Sequence, residues 1–344
     1  LLGALKRPTP FELLEAIPGP ESLRAAAAAA DELGVAAGVI AQAHQAIDAF
    51  ASLVREHYGT RAALTAALSG RSRTLRARID QAGRFDVFNG MRRILGVEAR
   101  TWLTTMIFVP SPTDEDIVAV TTLHGALGLR RLRSDTEVHF TMGPPYRDPQ
   151  GEPILSLSPV QLHDLYTHTP ARIESSVIAG QLRHRLVEDR LGKHAMMDML
   201  AVSHDDAGSR RYAAPGAPLR GMSMFVDVPV RMLVCDALVH EGLFPGSGPE
   251  LVVYNTAANG PANPNDPARG LDRVNVAETV ARVPSGPDTF SVAEVPNYGK
   301  MIGRICRHLG VPGGVFRVYR LQMAYPVYCF QFNVVFRAPL PPES

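Results

Sequence analysis

Apolar residues recur at helical spacing through the first hundred positions of the chain and then give way to mixed runs. Leu23, Ala26, Ala27, Ala30 and Leu33 share one helical face, Gly34 and Val35 interrupt, and a second helix opens near Ala37 with Ile40 and Ala43 turned inward. Ile47, Phe50, Leu53, Val54 and His57 continue its stripe to Tyr58 and Gly59. Ahead of this pair, Thr9 and Pro10 open a short turn that Pro18, Gly19 and Pro20 end. Behind it a short helix over 62–68 stops at Gly70, and a longer one carries Ile79, Phe85, Phe88, Met91, Ile94 and Leu95 to Gly96. The pattern predicts an all-helical module over 1–105.

The remainder, 106–344, reads as a larger mixed α+β domain. The apolar run from Trp102 to Val109 fits a strand or a buried helix end, and Pro110 and Pro112 break it. Thr113 followed by Asp114, Glu115 and Asp116 has the chemistry of a helix start, predicting a helix through Ile117, Val120 and Leu123 to Gly128. Helices are also predicted over 170–190, 232–242 and 296–308, and strands over 224–228 and 250–254. From Val315 to Arg337 the chain reads as extended and bent at Tyr325-Pro326, with Phe330, Phe332, Val334 and Phe336 alternating against Gln331, Asn333 and Val335.

Charge narrows the field. Lys+Arg number 35 against 34 Asp+Glu, so no global field draws the chain to nucleic acid or to an anionic membrane, and any such affinity must come from a local patch. The stretch from Arg55 to Arg100 is locally cationic, with Arg71, Arg73, Arg76 and Arg78 spaced to form one face. Lysine occurs only at Lys6, Lys193 and Lys300, so arginine taking the place of lysine on a solvated face explains the same residues. No apolar run is long enough to span a membrane, and Cys235, Cys306 and Cys329 form no disulfide pattern, which fits a reducing cytoplasm. The chain begins at Leu1 and shows no signal-peptide pattern.

Residues 22–45, with a small residue at Ala30, a glycine turn at Gly34 and Ile40 between the helices, resemble the helix-turn-helix superfamily of DNA-binding regulators. The resemblance implies double-stranded DNA as a partner, read by Gln42, His44 and Gln45 and held by the Arg71 to Arg78 face, and a homodimer as the working form. Asp31, Glu32 and Asp48 flank the reading helix with the wrong sign for phosphate. Ala-rich helices joined at glycine also build ordinary bundles.

Two further constellations bear on chemistry. Asp236 and His240 would stand one turn apart on the helix expected there, so the carboxylate could orient the imidazole as a general base, or the two could form a surface ion pair. The loop from 255 to 275 concentrates Asn255, Asn259, Asn263, Asp266, Arg269, Asp272 and Arg273 among prolines and glycines, as a ligand or partner loop or as a spacer. No zinc, calcium, phosphate-loop or nucleophile-elbow spacing occurs, so neither metal nor cofactor is expected. Together these features point to a DNA-binding transcriptional regulator whose C-terminal domain senses a small molecule or protein. The alternatives are an enzyme, such as a hydrolase, with its site near Asp236 and His240, and a non-catalytic interaction module.

Overall fold

The computed structural model describes residues 10–69, 73–141, 160–187, 190–192, 195–284 and 288–342. Helices and mixed sheets are both present, which makes the chain α+β. Its contacts divide it into two compact units, Leu1–Ala82 and Gly83–Ser344. The division falls inside the last helix of the helical region, ahead of the boundary expected at 105, because Arg84 and Phe88 already belong to the second unit. Arg84 donates to Ala324 O and to Glu278, and the Phe88 ring lies 5.2 Å from that of Tyr325.

In the first unit the short turn expected at Thr9-Pro10 is a helix, α1 (Pro10–Ala16), and the expected helices form as α2 (Pro20–Glu32), α3 (Ala37–Tyr58) and α4 (Arg61–Ser69), followed by the start of α5 (Arg73–Leu95). Leu23 and Ala27 of α2 pack on Ile47 of α3, with Ile17 and Phe50 beside them, and Arg24 reaches Asp48 at 2.9 Å. Arg24 lies about 12 Å along α2 from its end and Asp48 about 16 Å along α3 from its start, at 1.5 Å of rise per residue. Side chains so far from the turn meet only where the helices run back along each other. The pair is therefore an antiparallel hairpin, whereas helix-turn-helix readers splay their helices at about 90–120°. Gly34 has φ +82° and nothing within 4 Å of where a Cβ would stand, so the turn needs its backbone freedom and not its small size. Ile40 does not seal the helix pair, because with small Ala26, Ala30 and Ala43 around it an apolar groove of about 380 Å³ remains.

The second unit is built on strands. Its large sheet orders as β12-β13-β9-β1-β2-β7-β4, from β1 (Val97–Pro110), β2 (Ile117–Arg131), β4 (Thr169–Pro170), β7 (Met197–Arg210), β9 (Val230–His240), β12 (Ala281–Val283) and β13 (Phe316–Ala324). Central β1 and β9 run parallel, and β1 and β2 antiparallel. A second sheet orders as β11-β10-β14-β8, from β8 (Leu219–Met224), β10 (Glu250–Asn255), β11 (Arg273–Val274) and β14 (Phe330–Arg337). A small third one holds β3 (His139–Thr141), β5 (Ile173–Ile178) and β6 (Gln181–Leu186).

The large sheet is covered on both faces. One core joins it to the second sheet through Trp102, Phe108, Met199 and Leu233 against Met222, Phe332, Val334 and Phe336. The other joins Leu103, Ile107, Leu123 and Leu238 to Tyr298, Met301, Ile302 and Ile305 of helix α6 (Tyr298–His308). This burial explains two of three departures from the sequence reading, those at β2 and β9; β5, in the third, is mostly exposed. The segments expected as helices at 113–128, 170–190 and 232–242 are β2, the β5–β6 hairpin and β9. A strand buried on both faces shows a nearly continuous apolar run, as β9 does from Leu233 to Val239 apart from Asp236, and no alternation separates it from a buried helix. The strand expected at 224–228 ends, as β8, at Met224. Strand β10, helix α6 and the extended run bent at Tyr325 form close to their expected places, Tyr325 taking φ +52° at the bend.

His124 of β2 carries a pH dependence. Its Nδ1 is buried, and burial, reinforced by neighbouring His184, brings the imidazole down from 6.5 to about 4. Between those values the unfolded chain binds more protons than the native one, so stability is full above about pH 6.5 and falls as the pH drops toward 4. His184, also lowered by burial, adds to the same slope. Urea midpoints measured from about pH 4 to pH 7 should show this loss, and His124→Phe should flatten much of it.

Candidate functional site

Three polar constellations stand out in the second unit, and the structure separates what each can do. The first surrounds Asp236, which lies within β9 with no exposed surface. Arg320 of β13 grips it with Nε on Oδ1 and Nη2 on Oδ2, both at 2.8 Å, and the Tyr298 hydroxyl donates to Oδ2 at 2.9 Å. Tyr298 also meets Thr105 Oγ1 at 2.7 Å. Burial pushes the Asp236 carboxyl above its ordinary value, with Arg320 and Tyr298 acting against that rise, and burial beside this carboxylate holds Tyr298 well above the ordinary phenol range. The group is an ion pair closed on itself, with no face turned to a ligand.

That geometry undoes the expected coupling of Asp236 to His240. On a strand, four residues span about 13 Å, so the two side chains share a face without meeting. His240 Nδ1 instead accepts the backbone N–H of Gly242 at 3.1 Å. In the neutral ring this fixes the proton on Nε2, which makes His240 a hydrogen-bond donor and not a base primed by a carboxylate.

His240 does line a crevice, the second constellation. It has a volume of about 440 Å³ and sits where parallel β1 and β9 end, roofed by the C-terminal end of α6 and the segment after it. Its walls include Val109, Ala119, Leu309, Val311 and Val315, and its polar groups are His204, Asp206, His240 and His308. His204 is held at both nitrogens, by Thr121 Oγ1 at 2.7 Å and by Asp206 Oδ1 at 2.9 Å. His308 closes the last turn of α6, where a cation suits the carbonyl end of the helix. His204 and His308 carry no ligand spacing in the sequence; β7, β9 and α6 bring them together with His240 from remote positions. Such a crevice outside the carboxyl ends of parallel strands is a common place for ligands in sheets flanked by helices.

The third constellation lies at the opposite end of the same strands. Buried Asp198 accepts the N–H groups of Gly128, Thr167 and His168, at 2.8, 2.8 and 2.9 Å, and His168 Nδ1 at 2.9 Å. The cleft beside it, bordered by Arg100 and Glu294, encloses only about 30 Å³, room for a water. Asp198 thus pins β2 and the 167–168 turn together.

The polar residues of the 255–275 loop bond mainly among themselves. Asp266 caps a short 3-10 turn at Ala268 N, Asn259 and Arg269 both hold Asp272, and Arg269 reaches Gly260 O and Pro261 O. Asn255 and Asn263 each accept an N–H two residues on, and Arg273 lies over the Tyr254 ring. Buried Gln331 of β14 takes both backbone groups of Ala262, which fixes the loop to the second sheet. These side chains build an ordered loop and converge on no cavity among those described.

In the first unit, Gln42, His44 and Gln45 are exposed on α3. Arg76 pairs with Asp80 at 3.3 Å and Arg78 is exposed, while Arg71 and the side chain of Arg73 lie outside the described residues. Among the described residues no group of three His, Cys, Asp or Glu stands in position to hold a metal ion, and no helix is long and apolar enough to cross a membrane. No protein-family model matches the chain, and no curated protein or solved structure is similar to it.

Proposed function

We propose that the Gly83–Ser344 unit is a ligand-binding module, and that the chain is a sensor. Its crevice takes a compact apolar molecule carrying one hydrogen-bond acceptor, such as a carbonyl or carboxylate. The observation that carries this reading is the crevice itself, about 440 Å³ of mainly apolar wall with the His240 donor at its edge, a size suited to a small organic ligand. DNA reading by the first unit has one feature in its favour, the exposure of Gln42, His44 and Gln45, and the antiparallel packing of α2 on α3 weighs against it.

A library of compact ketones, amides and carboxylic acids, titrated into the full chain and followed by NMR, tests the sensing reading. Ligands that bind should move the ring signals of His204, His240 and His308 together. His240→Phe should weaken them about tenfold, the worth of one hydrogen bond of roughly 1.4 kcal/mol. A library without a binder, or binders that leave all three rings unmoved, would contradict it.

A further inference from the structure

The net charge of +1 conceals an arginine-rich surface at the end of the large sheet away from the crevice. It gathers around Glu98, the second residue of β1, which is 2% exposed. Arg92 of α5 reaches Glu98 at 2.9 Å, Arg130 of β2 bonds it as its cross-strand partner, and Arg231 of β9 stands at 3.6 Å. Three guanidinium groups from three elements thus share one carboxylate. Arg92 and Arg231 also lie over the Phe88 ring, at 5.8 and 5.7 Å, which holds both cations in place.

The cluster extends along its neighbours. Arg133, beyond the end of β2, donates to the backbone oxygen of Arg93 at 3.3 Å. Asp135 is an exposed partner of Arg133 at 3.1 Å. Among the described residues, Arg92, Arg93, Arg130, Arg133 and Arg231 thus gather around the carboxylates of Glu98 and Asp135, and Arg93, Arg133 and Arg231 are exposed. A solvated arginine face scatters its charges among acids, as Arg76 with Asp80 and Arg185 with Glu174 do elsewhere in the chain. Here the excess is local, and the shared carboxylate and the Phe88 ring set the forks before any ligand arrives.

We propose that this surface docks the phosphate backbone of double-stranded DNA, without reading its sequence. Guanidinium forks match the paired oxygens of a phosphodiester, and cations fixed in advance lose little side-chain entropy on contact. This places nucleic-acid contact on Arg92, Arg93, Arg133 and Arg231 of the second unit, and it is independent of what fills the crevice.

Fluorescence anisotropy of the full chain with a labelled duplex of about 20 base pairs, at about 50 mM salt and upward, tests the proposal. About four phosphate contacts should give log K against log salt a slope near −3.6. The double variant Arg93→Glu, Arg133→Glu should weaken binding at least about tenfold and make the slope shallower by about 2, with the far-ultraviolet circular dichroism unchanged. Should those reversals disturb the fold, Arg93→Gln with Arg133→Gln removes the same charges more gently and should show the same flattening. Absence of duplex binding at low salt would overturn the proposal. So would binding that ignores these substitutions, or tighter binding of a single-stranded RNA of equal length.

Discussion

Asp236→Ala is expected to destabilise the second unit by about 3–5 kcal/mol, the usual cost of leaving one member of a buried ion pair behind. Arg320 would then keep its charge beneath the 289–291 segment with its bidentate acceptor gone, and the Tyr298 hydroxyl would lose its stronger partner. The double variant Asp236→Leu, Arg320→Met removes both charges and should recover most of the loss, ending within about 2 kcal/mol of the parent. Urea unfolding of the three proteins checks this. An Asp236→Ala protein as stable as the parent would mean that the pair does not lock β9, β13 and α6 together.

Gly125→Ala should be nearly as damaging, for a reason of space. Gly125 sits opposite Leu200 in the β2–β7 pairing with φ +145°, and an added Cβ would lie 2.0 Å from Met199 O and 3.0 Å from the Leu200 Cα. Both obstacles are backbone, so the strands themselves must part. Overpacking of a buried site costs about 1–3 kcal/mol. The unfavourable φ adds roughly 1–2 kcal/mol more. A fall of about 3 kcal/mol in unfolding free energy is the expected result, and a fall below about 1 kcal/mol would show that β2 and β7 do not approach so closely here.

Both sites lie in strands, β9 and β2, that the sequence did not reveal. The helices of the first unit were legible because glycines and prolines punctuate them and each leaves a polar face in solvent, so the 3.6-residue period survives. Helix α6 was legible for the same reason, with Pro296 before it and Gly310 after it. Strands β2 and β9 were not. They are covered on both faces by the second sheet and by α6, and Thr113 with its three acids supplied a helix-start signal that the chain uses in a turn before β2.

The site suffered from the same misreading. His240 was singled out for its spacing from Asp236, and that spacing has meaning only on a helix. On β9 the carboxylate turns to Arg320 and Tyr298, and the imidazole turns to Gly242 and the crevice. His204 and His308 carry no local signal, because their proximity is created by pairing of β2 with β7 and by the packing of α6. The shared carboxylate of Glu98 is equally long-range, since its arginines lie at 92, 130 and 231. Only the cationic character of the stretch ending at Arg100 was visible beforehand.

The central claim, that the crevice binds a ligand, is tested most directly by filling it. Val311 lies in its wall with partial exposure, at the edge of the core under α6, so Val311→Trp can place an indole in the space. With a binder at about 100 times its dissociation constant, the parent should gain roughly 2.7 kcal/mol of stability and a matching rise in melting temperature. The account predicts that Val311→Trp melts near the parent without ligand and loses that rise. A variant that keeps the full ligand-induced rise would contradict it.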